Sequence, residues 1–361
     1  MSSSIRILTA SQVDKVLSTL PPALALSSQA KVFRLYSAPS DVQPAPIQTP
    51  HRLTVSTEGS TMLFMPSRAP TDNDASSSAQ TGSTTTAIKI VSVPTKGELG
   101  LPASTFIMDE ASGRLKAVIN ARKLTALRNA AGSALFLSHF PTPTSPQNLI
   151  LFGAGAQCVA HAVLFLRLHP TLTSVTFVVR SSNSRSQDAV SSLAKKFPMI
   201  HVTEAVHPSA DSPGLPEVVG SADVIVAATS STVPLFKSTP SVPKAGARVI
   251  LIGSYKPTMH EVDTPLIQRS GVVVDSREAC AVEAGELIGA GLEGRDLVEL
   301  GEMLGGHGAV ARGKVESKAG GKEGVIVFKS VGLGIQDVAI AKLVLDEAER
   351  QNLGTIVDEY E

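Results

Sequence analysis

The sequence predicts an α/β protein: a doubly wound parallel-sheet domain beside an α+β domain. Three observations carry this. Between residues 149 and 274, short apolar β runs alternate with helical stretches, as parallel strands joined by crossover helices require. The first of those runs flows through Gly153-Ala154-Gly155 into a helix, a strand–turn–helix of Rossmann type. The first hundred residues instead hold strands joined by short turns, which only antiparallel pairs can use. At 361 residues the chain exceeds one ordinary core, so two domains are expected. Residues 1–130 and 335–361 are assigned to the α+β domain, and residues 131–334 to the Rossmann domain.

Along the chain, residues 11–18 read as a short helix with Ser11 as its N-cap. Residues 47–56 and 61–66 read as strands around Glu58-Gly59-Ser60. Residues 67–86 are rich in Ser, Thr, Asp and Gln. They offer too little apolar surface to offset their ordering entropy, so a flexible insertion spanning about residues 66–86 is expected. Residues 87–93, 105–108 and 115–119 read as strands, the last two forming a hairpin about Ala111-Ser112-Gly113. Residues 121–140 turn helical until Pro141, Pro143 and Pro146 mark a boundary. Then come strand 149–152, helix 157–168, strand 174–179, helix 187–195, and strands 223–227, 248–252 and 272–274. The glycine-dense stretch 305–324 reads as a loop, and 335–350 as a closing helix.

Composition narrows the function classes. Acidic and basic residues balance at 32 each, so no global field draws the chain to nucleic acid or to an anionic membrane. No apolar run of about 18 residues is present to span a bilayer. The N-terminal residues lack the apolar core of a signal peptide, and a cytoplasmic location is expected. Cys158 and Cys280 belong to no CxxC pair and read as buried thiols of a reducing compartment. The eight histidines show no ligand spacing, so no metal is expected.

The run Leu149-Ile150-Leu151-Phe152-Gly153-Ala154-Gly155-Ala156-Gln157 carries the chemistry. Gly153 permits the tight turn, and Gly155, without a Cβ, lets a pyrophosphate approach the positive helix end. The usual third glycine is replaced by Cys158 or Ala160, both small enough for close helix–strand packing. The next strand ends in Arg180-Ser181-Ser182-Asn183-Ser184-Arg185, with no acid before Asp188. An acid there would bind a ribose 2′-hydroxyl, whereas Arg and Ser donors hold a 2′-phosphate. NADP(H) is therefore favoured and NAD(H) stays possible, with Arg180, Ser181 and Asn183 as contacts. Thr229, Ser230 and Ser231 follow another strand's carboxyl end, where ligands gather, and are expected to touch the cofactor.

Beyond this turn the chain resembles the ornithine cyclodeaminase/μ-crystallin family from about Arg52 to its C-terminus. The matching pieces are His51-Arg52, Met65-Pro66, Ala87-Ile88-Lys89-Ile90-Val91, Leu124-Thr125-Ala126-Leu127-Arg128-Asn129-Ala130-Ala131 and the Gly153–Gln157 turn. They continue with residues 223–231, Ser330-Val331-Gly332-Leu333-Gly334-Ile335-Gln336-Asp337 and Asn352-Leu353-Gly354-Thr355. The resemblance implies a substrate and dimerisation domain, a homodimer, and Arg52, Lys89 and Arg128 as substrate-binding bases. A small imino or amino acid presents a carboxylate that an Arg fork binds bidentately, while Lys89 handles a proton as the catalytic residue. Lys89 sits in an apolar strand frame, so it needs a partner or a solvated cleft. Asn129, where the family commonly has Thr, is kept as a cofactor contact, as are Gly253, Ser254 and Gly332. His260-Glu261 reads equally as pocket lining or as a solvated loop pair, and Asp337 as a residue near the cofactor or as a helix N-cap.

One departure matters. Where the cyclodeaminase branch carries a catalytic aspartate, this chain aligns Tyr255, within Gly253-Ser254-Tyr255-Lys256-Pro257. A phenol of pKa about 10 is poorly matched to accept amine protons. The μ-crystallin branch, whose activity is reduction of cyclic ketimines, also lacks this acid. The expected activity is therefore NADPH-dependent reduction of a small cyclic ketimine carboxylate, of pyrroline-2-carboxylate or piperideine-2-carboxylate type. Ornithine or lysine cyclodeamination with recycled NAD and non-catalytic NADPH binding are the alternatives.

Overall fold

The structure, a computed structural model, describes residues 4–38, 47–71, 83–94, 100–306 and 308–360. The chain divides into two compact units, Met1–Ala131 with Leu333–Glu361, and Gly132–Gly332.

The first unit contains β1 (Ile5–Leu8), α1 (Ala10–Thr19), α2 (Pro22–Tyr36), β2 (Leu53–Ser56) and β3 (Ser60–Pro70). It continues with β4 (Thr84–Pro94), β5 (Ala103–Met108), β6 (Leu115–Asn120) and the start of α3 (Arg122–His139). It is completed by a C-terminal helix, Gly334–Arg350, and a C-terminal strand, Thr355–Val357. Its described strands form one sheet in the order C-terminal strand, β1, β6, β5, β4, β3, β2. Only β1 and β6 run parallel; the other pairs are antiparallel. Alternation along β4 is strict: Thr85, Ala87, Lys89 and Val91 are buried while their neighbours face out. The C-terminal helix lies on the buried face, over β3 and β4 and beside α2. Gly334 admits it there, since a Cβ would meet the Ser67 hydroxyl at 2.1 Å.

Several expectations change here. The N-cap of α1 is Thr9, not Ser11: its hydroxyl accepts from the Gln12 amide and Gln12 returns a bond to the Thr9 amide. Strand 47–56 shrinks to β2, with Gln48 making only an isolated bridge to Arg68. Both ends of the expected flexible insertion are ordered strand, because β3 and β4 pair from Ser60–Pro94 through to Pro70–Thr84 and take in residues 66–70 and 84–86. Arg68, Thr84 and Thr86 converge on Glu110 there, polar partners that an apolar count overlooks. Residues 72–82 of that expectation lie outside the described residues. Helix α2 escapes the periodicity because Gln29 occupies a core position, its amide donating to the Gln336 carbonyl at 3.2 Å.

The second unit is an all-parallel sheet flanked by helices. Its elements are β7 (Asn148–Phe152), α4 (Ala156–Leu168), β8 (Ser174–Val179), α5 (Ser184–Lys196), β9 (His201–Val206), α6 (Leu215–Ser221) and β10 (Val224–Ala227). They continue with β11 (Arg248–Leu251), α7 (Thr264–Arg269), β12 (Gly271–Val274), α8 (Arg277–Glu283), α9 (Gly285–Gly289), β13 (Val298–Glu299), α10 (Leu300–Met303), α11 (Gly308–Lys318) and β14 (Ile326–Lys329). The strand order is β13-β12-β14-β11-β10-β7-β8-β9. The chain runs outward from β7 through β8 and β9, then crosses back to β10 on the other side. That reversal opens a crevice at the carboxyl ends of β7 and β10, the place where open α/β sheets bind ligands.

The stretch expected as a loop, 305–324, holds helix α11 instead. Its glycines flank the helix more than they interrupt it. Val315, its buried residue, packs so closely over β12 that a Cβ on Gly271 would come within 2.3 Å of the Val315 carbonyl. Arg248, at the start of β11, is buried and donates only to backbone carbonyls. Its Nε meets Phe140 at 2.9 Å, Nη1 meets Gly246 and Gly324 at 2.9 and 3.0 Å, and Nη2 meets Pro141 at 2.8 Å. A guanidinium thus supplies donors to backbone carbonyls of three separate loop segments.

Candidate active site

The first unit assembles one cluster of charge. Lys89, the third of the four inward residues of β4, points at the C-terminal helix, and its Nζ lies 2.7 Å from Asp337 Oδ2. Arg128 reaches the same carboxylate from α3, Nε to Oδ1 at 3.2 Å. Its Nη1 donates to Gln336 Oε1 at 3.0 Å and to Asn129 Oδ1. All three charged residues are 3–4% exposed. Burial pulls the Lys89 pKa from 10.5 down to about 8, against the opposing pull of Asp337; Arg128 and Arg52 lower it further by repulsion. Asp337 is buried too, yet the two cations hold its pKa below the ordinary carboxylate value.

Arg52, Lys89 and Arg128, predicted as one site, therefore lie together. Asn129 joins them by orienting Arg128. Arg128 does not present an open fork, since Nε and Nη1 are engaged and Nη2 alone remains without a partner among the described residues. Asp337 is not an N-cap, a position held by Leu333. It is the counter-ion that a buried lysine demands. The sequence signal was Lys89's apolar frame, but nothing in the sequence pointed 248 positions on to its partner.

The second unit builds a cradle. Gly153 has φ +102°, closed to side chains, and a Cβ there would touch Thr229, Ala228 and Cys158. Gly155 caps α4 with no side-chain bond, and a Cβ on it would meet nothing within 4 Å. Open space thus lies over the unsatisfied amides of a thirteen-residue helix, where Ala156 and Gln157 are the first turns' residues. Ala154 completes the turn. Cys158 takes the third-glycine position, fully buried with its thiol against the Phe152 carbonyl. A cavity of about 970 Å³ opens from this turn, lined by Gly153, Arg180, Ser181, Asn183, Thr229, Ser230 and Ser231 among others. Asn183 also caps α5, accepting from the Ser186 amide at 3.2 Å.

Three predicted contacts do not line that cavity, and their amides or hydroxyl are engaged within the protein. The Gly253 amide donates to Glu261 at 2.7 Å, and the Gly332 amide to Asp275 at 2.7 Å. Ser254 is wholly buried, its hydroxyl donating to Glu286. Lys329 completes that buried group, 3.1 Å from Glu286 and donating to the Ser254 carbonyl at 2.6 Å. Glu261 is not a solvated loop residue but fully buried. Tyr255 is half-buried, with Lys256 over its ring at 5.6 Å. Both cysteines are free and buried. Among the described residues no group of three His, Cys, Asp or Glu is placed to hold a metal ion, and no helix is long and apolar enough to cross a membrane.

Comparisons with known proteins agree with one another. A sequence profile described as "Ornithine cyclodeaminase/mu-crystallin family" matches residues 53–352. Ketimine reductase mu-crystallin of Rattus norvegicus is 31% identical over 245 residues, 68% of this chain and 69% of the relative. Delta(1)-pyrroline-2-carboxylate reductase 1 of Burkholderia multivorans is 27% identical over 345 residues, 94% of this chain and 97% of the relative. Among solved structures, the Delta(1)-pyrroline-2-carboxylate reductase of Thermococcus litoralis, in complex with NADH and L-proline, has a TM-score of 0.78 at 21% identity. The match covers 97% of this chain and 99% of that one. That likeness is one of fold.

Proposed function

This chain belongs to the ornithine cyclodeaminase/mu-crystallin family, and we propose that it is an NADPH-dependent reductase of a small cyclic ketimine carboxylate, of pyrroline-2-carboxylate or piperideine-2-carboxylate type. The observation that carries the reading is the buried Lys89–Asp337–Arg128 cluster with Arg52 beside it. Lys89 and Arg128, two buried cations set against the single Asp337 carboxylate, favour a small anion. Arg128, held by Asp337, Gln336 and Asn129, is oriented before substrate arrives, which lowers the ordering cost of binding. Arg128 Nη2 is the group offered to the carboxylate, with Arg52 near Lys89.

A ketimine becomes an amine by gaining a hydride at carbon and a proton at nitrogen. Reduced nicotinamide, when bound, supplies the hydride. Lys89 supplies the proton: with a pKa near 8 it is protonated at neutral pH yet gives its proton up far more readily than an ordinary lysine. Asp337 holds the ammonium in place and stays ionised. Tyr255 at the aligned position of the cyclodeaminase aspartate favours reduction over amine deprotonation. Arg180, with Ser181 and Asn183 on the cavity wall and no acid ending β8, supports NADPH over NADH.

The reading includes a homodimer. The outer face of the first unit's sheet carries Phe64, Ile88, Ile90, Phe106 and Val118 at alternating positions, an apolar surface suited to a second copy of the chain. The test is oxidation of NADPH, and separately NADH, with both ketimines. L-ornithine plus NAD⁺ runs in parallel. Stoichiometric NADPH loss with ketimine is expected. Ammonia and proline formed from ornithine with no net cofactor change, and no reductase activity, would overturn it.

A further inference from the structure

Beneath the crevice, two loops are interlocked. The residues after β10 and those after β11 approach so closely that a Cβ on Gly253 would lie 2.0 Å from the Thr229 carbonyl oxygen and 2.3 Å from its amide nitrogen. Thr229 in turn packs its methyl against Gly153, the turn of the cradle. One side chain ties the pair. Glu261 Oε1 accepts from the Thr229 amide at 2.8 Å and from its hydroxyl at 3.3 Å. Oε2 accepts from the Gly253 amide at 2.7 Å and the Ser254 amide at 3.4 Å. Every bond requires an acceptor, so protonating either oxygen sets an O–H against amide donors.

We propose that Glu261 is a positioning residue of the dinucleotide site, whose ionised carboxylate locks Thr229 and Gly253 in register beneath the bound cofactor and whose protonation releases them. This rests on the dinucleotide reading above. Glu261 is wholly buried, and the groups facing it are Glu286 from α9, Lys329 from β14 and Cys158 from α4. Burial raises its pKa to about 7, the nearby Lys329 pulling down and Glu286 pushing up. The lock therefore changes state within the neutral range. Its raised value means that the carboxylate is present above about pH 7 and lost as pH falls through it, so cofactor affinity rises with pH.

The experiment is a fluorescence titration of NADH, which carries no 2′-phosphate of its own, against wild type and Glu261→Gln across neutral pH. The carboxamide keeps the shape but puts an NH₂ against one set of amides. Wild-type affinity is expected to rise about tenfold across the transition, the limit of one coupled proton per pH unit. E261Q is expected to be flat and near the acid-side value. A slope retained in E261Q would belong to another group and would overturn the assignment. Amide hydrogen exchange on wild type is run alongside, corrected for intrinsic rate. Thr229 and Gly253 protection should fall below about pH 7 as the carboxylate protonates. If E261Q does not fold, unchanged protection overturns the proposal by itself. If wild type binds no dinucleotide at all, the functional reading fails while the exchange result still decides the lock.

Discussion

Replacing Asp337 with Asn removes one negative charge from a site where two cations depend on it. Lys89 lies 2.7 Å and Arg128 3.2 Å from that carboxylate, and all three are nearly inaccessible to water. Breaking a buried pair from one side costs about 3–5 kcal/mol, because the remaining charge is left uncompensated. Asn keeps the volume and one acceptor, so the lower end, about 3 kcal/mol, is expected for D337N. The same change acts on the chemistry. Asp337 is the main influence raising the Lys89 pKa, and burial, Arg128 and Arg52 all lower it. Without Asp337 the value must fall below its present level of about 8.

Two curves read this out. Reductase rate should decline as pH rises through the Lys89 pKa in wild type, and that decline should move to lower pH in D337N. Stability runs the other way. The folded pKa of about 8 lies below the unfolded 10.5, so the native state binds fewer protons in that window, and the Lys89 contribution to stability improves as pH rises across it. Urea unfolding at neutral pH measures the cost, and cofactor oxidation against pH measures the shift. An alkaline limb that stays where it was, with stability within about 0.5 kcal/mol of wild type, would refute the buried-triad argument.

Gly253→Ala should be among the most damaging small substitutions, because its methyl would overlap Thr229 backbone that cannot move aside; thermal unfolding and dinucleotide titration should both show a severe loss. Arg248→Met should cost at least about 3 kcal/mol in chemical unfolding, since several carbonyls lose a buried charged donor at once. Because the change is at the amino end of β11, dinucleotide affinity of the folded fraction should be little altered. Arg180→Ala should weaken NADPH about tenfold, the worth of one charge-assisted bond, and leave NADH nearly unchanged; equal losses for the two would assign Arg180 to the adenine and not to the 2′-phosphate.

Much of the parallel sheet was legible from residue order. Apolar runs such as Leu149–Phe152 are buried on both faces and cannot be much else, and Gly153 stands where only glycine tolerates the turn. Strand β8 was read to its end residues although its burial alternates. The antiparallel unit was less legible. Its strands extend through Thr84, Arg68 and Thr86, where Glu110 supplies hydrogen bonds in place of apolar burial. Helix α11 hid among glycines that mostly belong to its flanks, and α2 hid behind a buried Gln29.

The sequence by itself predicted the kind of site: a strand–glycine turn–helix for a dinucleotide, a basic strand end for its ribose and, through the family resemblance, three basic residues for a small carboxylate. The first two rest on local chemistry that neighbours in the chain supply. What only the tertiary structure decided is how the buried charges are satisfied. Lys89 and Arg128 share Asp337, Lys329 shares Glu286 with Ser254, and Glu261 collects the amides of two loops. A buried charge must find a partner, but the free energy is indifferent to how far along the chain that partner lies. Pairing across 248 positions is therefore invisible to any local pattern and settled only when the C-terminal helix docks on β4.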